Sequence, residues 1–113
     1  MVALALAIIP SCGGDSGTSD ALPELENAQA YYDLGGEYDR EQKIDEAIAA
    51  YSKAIEMDPE FAAAYRKRGY GYYKLRRGEE AIKDYEKFIE LDPDSSFRGQ
   101  VEEAIYKIGR NEY

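Results

Sequence analysis

The chain has no histidine and no tryptophan, and its single cysteine is Cys12. Without histidine there is no imidazole for acid–base catalysis and no histidine-based metal site. One cysteine excludes an intramolecular disulfide framework. No apolar run approaches the roughly 20 residues that a membrane-spanning helix needs; the run at Met1–Ile9, "MVALALAII", is too short. Positive charge is also scarce, with 14 Lys and Arg against 23 Asp and Glu for a net charge of −9. That balance argues against a nucleic-acid binder, whose footprint is basic, and favours a cationic partner. No nucleophile stands at a known spacing from a base, and no glycine loop is built to cradle phosphate, so neither an enzyme nor a cofactor is expected. Asp92, Asp94, Ser96 and Glu103 fall in the register of a calcium loop, but Phe97 stands where its sharp turn needs glycine. No metal site is expected.

What is abundant is tyrosine: 11 residues against three phenylalanines. Tyrosine suits half-buried positions, where the ring packs and the hydroxyl reaches a polar partner. The chain divides by composition into three pieces. Residues 1–11 are an apolar, signal-peptide-like segment, and residues 12–22 are small, polar and glycine-rich like a flexible tether. Residues 23–113 interleave charges with aliphatic and aromatic residues at helical spacing.

This third piece repeats itself. Residues 28–61 align without a gap on residues 62–95, with 14 of 34 positions identical. Tyr31 and Tyr65, Gly35 and Gly69, Ala47 and Ala81, Tyr51 and Tyr85, and Pro59 and Pro93 all fall at that period. Such a period marks stacked helical units. Within each unit the spacing predicts two helices. Ile44, Ala47, Ile48, Tyr51 and Ile55 share one face, as do Ala81, Ile82, Tyr85, Phe88 and Ile89. Gly35 and Gly69 are expected to mark close helix approach, with Ala47 and Ala81 opposite them. "MDP" and "LDP" end the second helices, because a residue before proline is pushed out of the α region.

These shared Tyr, Gly, Ala and Pro positions resemble the tetratricopeptide repeat. The resemblance implies an all-α fold of antiparallel helix–turn–helix repeats, two units and a capping helix over residues 96–110, of α-solenoid type. Phe97, Val101, Ala104, Ile105 and Ile108 form the apolar stripe of that cap. Leu22 and Leu25 are expected to extend the first helix. The chain departs from the family pattern at Arg68, where leucine is usual, and at Phe88, where alanine is usual. Gly78 replaces a large apolar residue, which predicts a reshaped turn. Gly36 adds a second glycine and should weaken the first helix.

The resemblance implies a non-catalytic protein- or peptide-binding module whose first helices line a groove. One stretch suits that role: "RKRGYGYYKLRR", Arg66–Arg77, carries six cations and no anion. Arg66, Tyr70, Tyr73 and Arg77 share a face, with Lys67 and Lys74 beside it. Gln29, Tyr32, Asp33, Gly36 and Arg40 join the groove from the first unit. Arginine pairs carboxylates bidentately and stacks on rings, so the groove suits an acidic or aromatic peptide. The other reading is that the cations neutralise acidic neighbours within the protein. The family's clamp for a terminal carboxylate finds only Arg66 here, since Gly36 and Tyr70 replace its asparagines. The alternative function is a structural subunit, not lipidated, that stacks with itself or with a larger repeat array through exposed repeat edges.

"IPSC", Ile9–Cys12, resembles the cleavage box of bacterial lipoproteins, with Cys12 as the lipid-bearing residue. A complete signal peptide is longer and has a basic start, so this reading places the true start upstream of Met1. It implies a lipid-anchored module in the bacterial cell envelope. The alternative is a free thiol on the tail of a cytoplasmic protein.

Overall fold

The computed structural model describes residues 22–113; Met1–Ala21, with Cys12 and the lipoprotein reading, lie outside them. Among the described residues five α-helices follow one another: α1 Ala28–Arg40, α2 Ile44–Met57, α3 Ala62–Lys74, α4 Gly78–Leu91 and α5 Arg98–Gly109. No strand occurs among the described residues. Each helix packs on its predecessor, α1 on α2, α2 on α3, α3 on α4 and α4 on α5. The fold is an all-α solenoid of two helical hairpins and one closing helix.

Local chemistry sets the boundaries. Asn27 Oδ1 accepts from the Ala30 N–H at 2.9 Å and caps α1. The first turns of α2 and α4 carry Asp45, Glu46, Glu79 and Glu80, whose charges complement the positive helix ends. Both second helices stop before proline, where Asp58 and Asp92 share φ −141°. Leu22 and Leu25 do not extend α1. The Tyr31 hydroxyl donates to the Pro23 carbonyl at 2.8 Å and accepts from the Leu25 N–H at 3.0 Å, holding that segment non-helical. Leu25 instead packs on the cluster of Tyr31, Ala54 and Ala64.

The two intra-repeat turns are copies of each other. Gln42 and Arg76 both sit at φ 61°. The N–H groups of Lys43 and Arg77 donate back to the carbonyls of Tyr38 and Tyr72, each at 2.9 Å. This is a Schellman closure in both units. Gly78 therefore does not reshape the turn. It makes room for the closing helix, since a Cβ there would lie 2.6 Å from Ile108 Cγ2 and 2.7 Å from the Tyr113 hydroxyl oxygen.

Close approach within each repeat rests on a glycine under a tyrosine ring. A Cβ at Gly35 would stand 2.5 Å from Tyr51 Cε1, and one at Gly69 would stand 2.9 Å from Tyr85 Cδ1. Ala47 and Ala81 are fully buried, but the nearest atoms to the glycines belong to those rings. The buried face of α2 is Ala47, Ala50, Tyr51 and Ala54, while Ile44, Ile48 and Ile55 are only half-buried. The reason is that α2 lies between α1 and α3. Small residues at its centre admit both neighbours, and Ile48 packs at the flank where Gly71 of α3 has no side chain. In α4 the position of Ala54 is taken by Phe88, which packs with Val101 of α5.

Gly36 is different, since a methyl group at its Cα would meet only Arg40 Nη1 within 4 Å. Gly36→Ala should raise stability by about 0.5–1 kcal/mol, because alanine restores helix propensity without a clash. Gly35→Ala gains the same propensity but drives a methyl into Tyr51, so it should lose about 1–3 kcal/mol. Urea unfolding of the two variants should shift the midpoint in opposite directions.

Candidate functional site

The six cations of Arg66–Arg77 separate into two groups. Four are engaged within the protein. Arg68 grips Asp84 through two parallel bonds, Nε to Oδ2 at 2.7 Å and Nη2 to Oδ1 at 2.8 Å. Its third nitrogen donates to Ser52 Oγ at 3.0 Å. Lys74 pairs with Asp39 at 3.4 Å, Arg77 with Glu80 at 2.6 Å, and Arg76 donates to the Tyr113 carbonyl oxygen. Arg66 and Lys67 have no ion-pair partner among the described residues.

Both free cations line a cavity of about 360 Å³ between α3 and α5. Its α3 wall is Arg66, Lys67, Tyr70 and Tyr73, and its α5 wall includes Gln100, Glu103 and Lys107. Tyr85 of α4 also lines it. Tyr70 and Tyr73 lie nearly parallel, 15° apart with centroids at 6.1 Å. The Arg66 guanidinium rests 3.8 Å over the Phe97 ring, so its N–H edges stay available while its face is held. Phe97 therefore serves as a platform for Arg66 and remains 44% exposed, outside the apolar contact of the cap.

A second hollow adjoins the first, with Lys67 common to both; Tyr32, Asp33, Gly36, Glu37, Arg40 and Tyr51 complete it. Of the sequence-derived groove residues, Tyr32, Asp33, Gly36 and Arg40 line this hollow, and Arg66, Lys67, Tyr70 and Tyr73 line the first cavity. Gln29 and Lys74 line neither. Gln29 is turned along its own helix, donating to Asp33 Oδ1 at 2.9 Å. Lys74 is drawn to Asp39 and lies 4.6 Å over the Tyr70 ring. Arg77 is likewise off the face, paired with Glu80 and stacked near Tyr72. Sequence spacing does not reveal the contribution of α5; Gln100, Glu103 and Lys107 sit off the apolar stripe, and only helix packing brings them to the cavity.

The Arg68–Asp84 pair accounts for a departure from the repeat pattern. One period earlier stand Leu34 and Ala50, so an apolar pair in the first unit has become an ion pair in the second. Asp84 is 5% exposed, and its hydrogen bond raises the Arg68 pKa above the ordinary value despite opposing burial. Tyr51 is also engaged, donating to Asp39 Oδ2 at 2.7 Å. Burial first, then that bond, lifts its phenol far above the usual range. Among the described residues no group of three or more Cys, Asp or Glu is placed to hold a metal ion, and no helix is long and apolar enough to cross a membrane.

Two hairpins of one length, stacked in register and closed by a fifth helix, define a helical repeat protein. The family model described as TPR repeat matches residues 37–76, and that described as Tetratricopeptide repeat matches residues 62–95. Together they span more than half of the 113 residues, and the chain belongs to the tetratricopeptide repeat proteins. A tetratricopeptide repeat domain protein from Salinibacter ruber superposes with a TM-score of 0.65 at 23% identity, covering 74% of this chain and 97% of that one. That likeness is one of fold. The first TPR of Spaghetti (RPAP3), solved bound to the HSP90 peptide SRMEEVD, is 24% identical over 75% of this chain and 92% of its own, with a TM-score of 0.41. Comparison with curated proteins gives no match.

Arg68→Leu alone leaves Asp84 buried without its partner and should lose about 3–5 kcal/mol. Arg68→Leu combined with Asp84→Ala restores the residue pair of the first repeat and should return stability to within about 1 kcal/mol of the parent. Chemical denaturation of the single and double variants measures the recovery.

Proposed function

We propose that this chain is a non-catalytic peptide-binding module that takes an acidic segment bearing an aromatic residue. The observation that carries the reading is the division of the basic stretch: four cations are engaged internally, and the two free ones line the same cavity as a stacked tyrosine pair. Arg66, held by its face on Phe97, offers its edge to a carboxylate, and Tyr70 and Tyr73 offer rings to an aromatic side chain. Glu103 in the first hollow and Asp33 and Glu37 in the second disfavour polyanions such as nucleic acid.

In the same reading the module sits at a bacterial envelope membrane, tethered through an acylated Cys12. "IPSC" and the glycine- and serine-rich composition of the residues after it support this. Tethering and binding stand or fall separately.

Fluorescence polarisation with a panel of labelled, amidated acidic, neutral and basic peptides tests the first. The acidic aromatic members should bind tightest. Arg66→Glu with Lys67→Glu should weaken them at least tenfold with the melting temperature held within about 2 °C, because neither cation has an ion-pair partner to lose. Equal binding by the variant sinks the groove assignment. Intact mass of the N-terminal peptide, from protein made in bacterial cells with its natural upstream region, tests the second. A chain starting at Cys12 with acyl mass is expected, and an unmodified thiol on a longer chain refutes the anchor.

A further inference from the structure

The two repeats place one tyrosine identically and treat its hydroxyl differently. Tyr51 and Tyr85 are one period apart, and each lays its ring over the glycine of its own hairpin. The Tyr51 hydroxyl donates to Asp39. One period after Asp39 stands Tyr73, so the acceptor that the first repeat supplies is missing from the second. Tyr85 is 3% exposed, yet its hydroxyl makes no hydrogen bond among the described residues. Asp84, the adjacent carboxylate, has both oxygens occupied by Arg68.

The surroundings of that residue are informative. Tyr85 lines the cavity that Arg66 and Lys67 border. Burial raises the Tyr85 phenol pKa above its ordinary range, the Tyr70 and Tyr73 hydroxyls and the Asp84 carboxylate add to the rise, and the Arg66 guanidinium opposes it. Of these groups, Tyr70, Tyr73 and Arg66 belong to the cavity wall. A phenylalanine would satisfy the ring-on-glycine packing against Gly69 without burying an unmatched donor, which is costly. The hydroxyl is what needs an acceptor, and the cavity around it is basic.

Resting on the peptide-binding reading, we infer that the Tyr85 hydroxyl is a recognition donor for a side-chain carboxylate of the bound peptide. The ligand's Asp or Glu supplies in the second repeat what Asp39 supplies in the first. One carboxylate oxygen accepts from Tyr85 at the cavity wall, and Arg66 and Lys67 neutralise the charge. The loss of the internal acid at Tyr73 and the two free cations are then parts of one device: the protein has given up its own carboxylate where it takes a partner's.

Two measurements on the full chain test this. The first needs no ligand. Tyr51→Phe should lower the melting temperature by several degrees, because Asp39 loses a hydrogen bond, whereas Tyr85→Phe should leave it unchanged or raise it. An equal loss in both variants means that the Tyr85 hydroxyl already has a structural acceptor, and overturns the assignment. The second is calorimetric titration with the amidated peptide acetyl-Ser-Glu-Phe-Glu-Ser and its glutamine counterpart, so that side chains carry the only carboxylates. Wild-type protein should prefer the glutamate peptide by about tenfold or more, and Tyr85→Phe should reduce that preference to about twofold or less. Preference kept in Tyr85→Phe means that Arg66 and Lys67 hold the carboxylate alone, which overturns the role of Tyr85 and leaves the proposed function standing. Equal binding of the two peptides, or none while other members of the panel bind, overturns the carboxylate class. Failure of every peptide to bind removes the proposed function and this inference together.

Discussion

The structure depends on one contact made twice, a tyrosine ring of the second helix lying on a glycine of the first. A methyl group at either glycine would overlap the ring, so the hairpin closes to this distance only because the side chain is absent. The contact buries Tyr51 and Tyr85 and fixes where each hydroxyl ends. Stacking then follows from a second size constraint, the small centre of α2, which admits α1 and α3 as its two neighbours. Van der Waals exclusion sets the spacing throughout, and burial of apolar surface supplies the drive.

On that shared frame the second repeat has diverged as a coordinated set. Ala54 becomes Phe88 and Ile44 becomes Gly78, and both changes face the closing helix, one filling space and the other clearing it. Leu34 and Ala50 become Arg68 and Asp84, a pair that exists only as a pair, since either charge alone would be stranded in a mostly buried site. Asp39 becomes Tyr73, which removes a carboxylate from beside the buried tyrosine and adds a ring to the cavity. The first repeat gives its buried tyrosine an internal acceptor. The second keeps two cations and a buried tyrosine that lines their cavity.

The repeat, its period, the helices and their proline-bounded ends were legible in the sequence because each is local: side-chain periodicity and backbone restriction act within a few residues. The glycine positions announced close packing for the same reason. Their contact atoms were not legible. Which side chain faces Gly35 depends on the rotation of α2, and the structure puts Tyr51 there rather than Ala47. No reshaped turn forms at Gly78, because that glycine answers to Ile108 and Tyr113, thirty and more residues away in the chain.

The candidate site divides along the same line. The basic, tyrosine-rich face of α3 could be read from spacing alone, since residues three and four apart share a helix face. Sequence could not say which cations are free, because that is a matter of which carboxylates neighbouring helices bring within reach: Asp84 took Arg68, Asp39 took Lys74, and among the described residues nothing took Arg66 or Lys67. Nor could it bring Gln100, Glu103 and Lys107 to the cavity. By itself the sequence determined a helical repeat with an unusual basic stretch, because periodicity and charge are properties of the chain. Only the tertiary structure decided which of those charges and hydroxyls remain unmatched, because satisfaction is a property of pairs that the chain brings together through space.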